Sequence, residues 1–130
     1  VLAGNLFSLW LYKNRPSYAA IGASGGVSGI LFAAITLSPM SSIIIFPIPI
    51  LITSWIYATL YFAYSVAMML NPRHCDNTGH AAHLGGAACG MAFAAALTPT
   101  FVMENALFIG IMSLPLCYLA YEILVNKRAR

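Results

Sequence analysis

Charge is what this sequence has least of: 7% of its 130 residues are Asp, Glu, Lys or Arg, against roughly 25% in ordinary soluble domains. None falls between Arg15 and Arg73, a run of 57 residues, nor in the 27 residues between Asp76 and Glu104, nor in the 17 between Glu104 and Glu122. At about 1.5 Å per helical residue, the first run is more than twice the ~30 Å of a hydrocarbon core, and the other two are each about one crossing. The chain is 61% apolar and has a mean hydropathy of +0.84. A water-soluble globule is excluded, because a domain this small cannot hide so much apolar surface in one core. Lipid is the solvent that suits it.

Cysteine is scarce too. Cys75, Cys89 and Cys117 are odd in number and irregular in spacing, which excludes a disulfide framework and a zinc ribbon. The net charge is +3, but the bases Lys13, Arg15, Arg73, Lys127, Arg128 and Arg130 sit beside the ends of apolar runs. That is juxtamembrane anchoring, not a nucleic-acid face, so no nucleic-acid partner is expected. The first residue is Val and no charged segment precedes an apolar core, so no signal peptide is read here and further spans are expected upstream.

Helical spans are expected at about 1–12 (partial), 22–38, 50–70, 79–97 and 105–125. The first is stopped by Lys13-Asn14-Arg15-Pro16-Ser17, and the second, rich in Gly, Ala and Ser, by Ser38-Pro39, where proline cannot continue the ladder. Ile43 to Ile50 carries Pro47 and Pro49 and reads as a membrane-edge connection. The last span contains Pro115, a candidate kink. The expected fold is therefore an all-α, multi-pass transmembrane bundle, with residues 1–130 forming one membrane domain or part of one. Alternating spans put the loops at 13–21 and 71–78 and the tail at 126–130 on one face, with all six bases. The positive-inside rule makes that face cytoplasmic, and a bacterial cytoplasmic membrane is the expected location.

Gly22-Ala23-Ser24-Gly25 places a hydroxyl at the start of a span. A serine there meets the positive end of a helix and its unpaired N–H groups, which an oxyanion needs. Read alone, the segment is more simply a packing face, since Gly22/Gly26 and Gly25/Gly29 are small-xxx-small pairs. His83 changes the balance. A histidine inside an apolar span is costly and marks a functional site whose partner should be named. Ser24 starts its span on the same face and at a matching depth, so a neutral imidazole could take its proton. Gly86 and Gly90 follow His83 at +3 and +7, which puts the base on a face another backbone can approach. Asp76, Glu104 and Glu122 belong to other regions, so a Ser24–His83 dyad is the economical reading. Ser28 in the second motif Gly26-Val27-Ser28-Gly29 competes with Ser24, but lies further from the water needed for deacylation. His80, one turn before His83, either orients it, donates to a substrate, or simply faces water. A zinc set of His74, Cys75, His80 and His83 matches no standard spacing. Trp10, Trp55 and the tyrosines read as packing and interface residues, and Glu122 as pairing with the basic tail or snorkelling.

The ordered pair of GASG at 22–25 and AHLGG at 82–86, with Gly90 after it and one span between, resembles the rhomboid family of intramembrane serine proteases over nearly the whole chain. The resemblance implies a rhomboid-like bundle and an endopeptidase that cleaves transmembrane protein substrates in the bilayer, without metal or cofactor. It makes Ser24 the nucleophile and His83 the general base. Gly22 and Gly25 would shape the serine turn, and Gly86 and Gly90 would seat the histidine helix against the serine helix. One family element, a histidine and asparagine spaced HxxxN that help bind the oxyanion, has no match here; the only side-chain-independent donor to name is the Ser24 N–H. Phe32, four residues after Ser28, matches the aromatic that some members carry one turn after the nucleophile. The rival readings are a rhomboid-like pseudoenzyme that binds transmembrane clients without cutting them, and a transporter or channel fragment.

Overall fold

A computed structural model describes residues 1–16, 18–19, 23–45, 47–72 and 79–127. Along these the chain forms α1 (Leu2–Tyr12), α2 (Ser24–Leu37), β1 (Ser42–Ile45), β2 (Ile50–Thr53), α3 (Ser54–Leu70), α4 (His80–Leu97), α5 (Pro99–Glu104) and α6 (Ala106–Leu124). The helical bundle expected from the sequence is what forms, with one β-hairpin added. Helices α4 and α6, of 18 and 19 residues, are long and apolar enough to cross a bilayer, and α2 and α3 are shorter apolar helices.

The hairpin replaces the irregular connection expected after α2, and it takes residues 50–53 that the sequence reading assigned to the next helix. Its strands pair antiparallel, with Ser42 opposite Thr53 and Ile45 opposite Ile50. The reason is local. Ile43-Ile44-Ile45 is a β-branched run and Ile50-Leu51-Ile52 carries two β-branched residues, which favour extended backbone. Pro47 and Pro49 lie between them, each removing an N–H donor and fixing φ, so a helix cannot pass through. The hairpin closes onto α3 through Ser54, whose N–H donates to Ser41 O at 2.8 Å and whose hydroxyl donates to the same carbonyl at 2.9 Å. The adjoining Trp55 N–H donates to Pro39 O at 3.0 Å. These bonds satisfy N–H groups that a helix start leaves without intrahelical partners.

Helix α5 is a second departure, a six-residue turn that begins with Pro99 at its first position, where proline's missing N–H costs nothing. Helix α6 runs through Pro115 as one element. Glu122 does not snorkel to the surface: it is buried and accepts a hydrogen bond from Asn126 Nδ2, at the start of the tail, at 3.1 Å. This one-turn contact shields a carboxylate that lipid would otherwise meet.

Helices α2 and α4 make the most extensive contact in the molecule. They run parallel and in step: Gly25 meets Ala82 and Gly86, and Gly29 meets Gly86 and Gly90. Helix α3 runs the other way, so that Tyr61 reaches His83 while Tyr64, three residues later, reaches His80, three residues earlier. Phe32 of α2 and Phe62 of α3 are fully buried and stack at 4.4 Å between ring centres. Around them Leu84, Ala87 and Met112 complete the core. The outward face is apolar as well, with Leu2, Ile30 and Leu107 among its exposed residues, as a surface solvated by lipid tails requires.

Candidate active site

Ser24 is the first residue of α2. The helical ladder begins with Gly26 N–H and Val27 N–H donating to Ala23 O, at 2.8 and 3.3 Å. The N–H groups of Ser24 and Gly25 therefore precede the ladder, in the position where helix ends present unpaired donors and a partial positive charge. The Ser24 side chain is exposed, and His83 is half-buried on the first turn of α4. Fifty-nine residues apart in sequence, Ser24 Oγ and His83 Nε2 lie 2.7 Å apart, a hydrogen-bond distance for a hydroxyl and an imidazole nitrogen.

Backbone contact between the two helices fixes this distance. A Cβ on Gly86 would overlap the carbonyl oxygen of Gly25, and one on Gly90 would overlap that of Gly29. A Cβ already present at Gly25 would stand 2.8 Å from Ala82 O, closer than real Cβ contacts come. Helix α1 packs on α4 beside α2, where Gly4 approaches the same Ala82 carbonyl that Gly25 meets and Phe7 covers Gly85. Glycine here is a spacer of zero thickness, letting two backbones approach as membrane helices do at small-residue seams.

The other nitrogen of His83 is also met. Tyr61 Oη on α3 lies 3.0 Å from His83 Nδ1. The tyrosine ring is held by Phe32 at 5.3 Å and by Tyr57 at 6.0 Å between centres. Hydroxyls of Ser28 and Ser65 stand near its Oη, Ser65 short of full hydrogen-bond geometry. From sequence alone Tyr61 reads as a packing or interface residue. A signal was available in Tyr57, Tyr61 and Tyr64, which follow one face of α3 at spacings of four and three, but tyrosine on a span is common at membrane interfaces and does not announce a partner.

Ser28 is buried one turn deeper on α2, beside Tyr61. His80 is buried, with its ring edge-on to Tyr64 at 5.7 Å, so a water-facing ring is not what forms. Gly22, and His74 and Cys75 of the possible zinc set, lie outside the described residues. Cys89 and Cys117 are free thiols.

Comparison with known proteins agrees with this arrangement of helices. The Rhomboid domain family matches residues 1–100. Over 100 residues the chain is 32% identical to "Rhomboid protein 1, mitochondrial" of Saccharomyces cerevisiae, a match that covers 71% of this chain and 27% of that protein. The chain thus spans about a quarter of the length of the relative it matches. No solved structure matches it. The chain belongs to the rhomboid family and is an integral membrane protein. The expected bacterial cytoplasmic membrane gains no support, since the matched relative is mitochondrial.

Proposed function

We propose that this protein is an intramembrane serine endopeptidase that cleaves transmembrane protein substrates through a Ser24–His83 dyad. The observation that carries this reading is the 2.7 Å separation of Ser24 Oγ and His83 Nε2. In the proposed reaction the Ser24 oxygen attacks a peptide carbonyl carbon while its proton passes to His83 Nε2. The carbonyl oxygen becomes an oxyanion and accepts a hydrogen bond from the Ser24 N–H at the positive end of α2. When the C–N bond breaks, His83 gives the same proton to the leaving amine. Water then attacks the acyl-serine ester, its proton passing to His83 and on to Ser24 Oγ as the acid leaves. An exposed serine at a helix start suits the second half of this cycle, which needs water.

A substrate must bring an unwound segment to the start of α2, because backbone inside a regular helix offers no free carbonyl to attack. The small side chains of Ala23 and Gly25 beside Ser24 leave room for it. Neither step calls for a metal or an organic cofactor.

The test is cleavage of a transmembrane reporter by the full-length protein that carries this chain, reconstituted in liposomes. Ser24→Ala and His83→Ala should each abolish cleavage with membrane insertion intact, while Ser28→Ala should weaken it at most a few-fold. Cleavage that survives loss of Ser24 and His83 contradicts the dyad. A well-folded full-length protein that binds the reporter without cutting it would establish the client-binding pseudoenzyme instead.

A further inference from the structure

We propose that Tyr61 is the positioning residue of the dyad, accepting the Nδ1 proton of His83 and so holding the imidazole in the one tautomer that can act as a base toward Ser24. This rests on the dyad reading and adds a third member that the motifs do not contain.

Histidine chemistry sets the constraint. A neutral imidazole carries one proton, and the nitrogen facing Ser24 must be bare to take another. His83 Nε2 faces Ser24 at 2.7 Å, so the proton must sit on Nδ1. Which nitrogen holds it is set by what the other side of the ring meets. A carboxylate serves in the familiar triads, but the described carboxylates are elsewhere: Glu104 ends α5, beyond the far end of α4, and Glu122 is on α6 with Asn126. What Nδ1 meets is Tyr61 Oη, at 3.0 Å.

A phenol can donate as well as accept, so its surroundings matter. With Nδ1–H donating to Tyr61 Oη, the tyrosine has its own proton to place, and Ser28 and Ser65 stand beside that oxygen. Turned toward Ser28, the phenol O–H leaves a lone pair for the imidazole. His83 Nδ1–H then donates to Tyr61 Oη, and the neighbouring Ser28 hydroxyl is the acceptor we assign to the phenol proton, so that each hydroxyl is used once. This gives Ser28 a part other than that of a rival nucleophile.

Position is as important as chemistry. The Tyr61 ring is packed against Phe32, Tyr57 and Phe62, and Phe32 and Phe62 are themselves fully buried. A ring clamped on these sides places its hydroxyl without further ordering when the imidazole becomes charged, the condition for preorganised support of a transition state. The bond also strengthens at that moment, because a protonated imidazole donates more strongly than a neutral one.

The test compares full-length wild-type protein with Tyr61→Phe, which keeps the ring and removes the oxygen. Reporter cleavage should lose about five- to tenfold in kcat, the scale of one neutral hydrogen bond, with KM unchanged, as for a bond that matters only in the transition state. A merely structural residue would move both constants, or neither. Independently of any proteolysis, nitrogen-15 spectra of histidine-labelled protein, with His83 assigned by its absence in His83→Ala, should place the wild-type proton on Nδ1 and show that preference lost in Tyr61→Phe. A wild-type proton on Nε2, or a Tyr61→Phe variant with unchanged tautomer and unchanged kcat, overturns the proposal. If the wild type cleaves nothing yet carries its proton on Nδ1 in a Tyr61-dependent way, the protease reading fails and the positioning role stands.

Discussion

Gly86 on α4 rests against the backbone carbonyl of Gly25 on α2, so closely that a methyl group on Gly86 would overlap its oxygen. Gly25 directly follows Ser24, and Gly86 comes three residues after His83. The contact is thus a direct mechanical link between the two reacting side chains. Neither helix could be moved outward by the thickness of one methyl without stretching the 2.7 Å hydrogen bond. Packing and chemistry share the same few residues.

Gly86→Ala should therefore cost about 1–3 kcal/mol of stability, the usual scale of overpacking, and slow the reaction of Ser24 with a fluorophosphonate. Gly110 is the control, because a Cβ there meets nothing within 4 Å. Gly110→Ala should keep or raise stability, by up to about 1 kcal/mol, since alanine is the better helix former and its methyl meets no neighbour there. Unfolding of the purified protein in denaturant checks both; equal behaviour of the two variants would contradict the close-contact account.

Phe32 joins the core to the site, since it stacks on Phe62 and also walls the Tyr61 ring. Phe32→Ala should destabilise the bundle strongly, by about 3–5 kcal/mol if a membrane core responds as aqueous cores do. It should also loosen Tyr61. In a double-mutant cycle on kcat, Phe32→Ala and Tyr61→Phe should then couple by about 0.5–3 kcal/mol, as residues sharing a contact do. Strict additivity would separate the core from the site.

Ser54 is fully buried and ties the hairpin to α3 through Ser41. Ser54→Ala removes its hydroxyl bonds and should cost about 0.5–1.5 kcal/mol. Amide exchange over residues 42–53 should quicken, while cleavage stays near wild type, because this junction lies at the end of α2 away from Ser24. Slowed cleavage with unchanged exchange would place the hairpin in the reaction instead.

What could be read from the sequence follows from how rare each feature is in lipid. A histidine within an apolar run is expensive enough to demand a role, so His83 identified itself and pointed to Ser24. The glycines at 25, 29, 86 and 90 were legible for a related reason: their spacing repeats along one helix face, and only a closely approaching backbone uses it. Tyr61 was not legible, because tyrosine is at home on a membrane span and its bond to His83 depends on how α3 is rotated and offset against α4. The hairpin was missed because isoleucine runs suit either a buried helix or a strand. Pro47 and Pro49 ruled out a continuous helix there without requiring that the flanking runs pair.

The central claim is that His83 makes Ser24 a nucleophile, and the most direct measurement is fluorophosphonate labelling of the full-length protein in liposomes, with the modified residue located by peptide mapping. A label on Ser24 is expected that disappears in Ser24→Ala and falls by orders of magnitude in His83→Ala, with Ser28→Ala still labelled. A label on Ser28, or a label on Ser24 that is indifferent to His83, would contradict it.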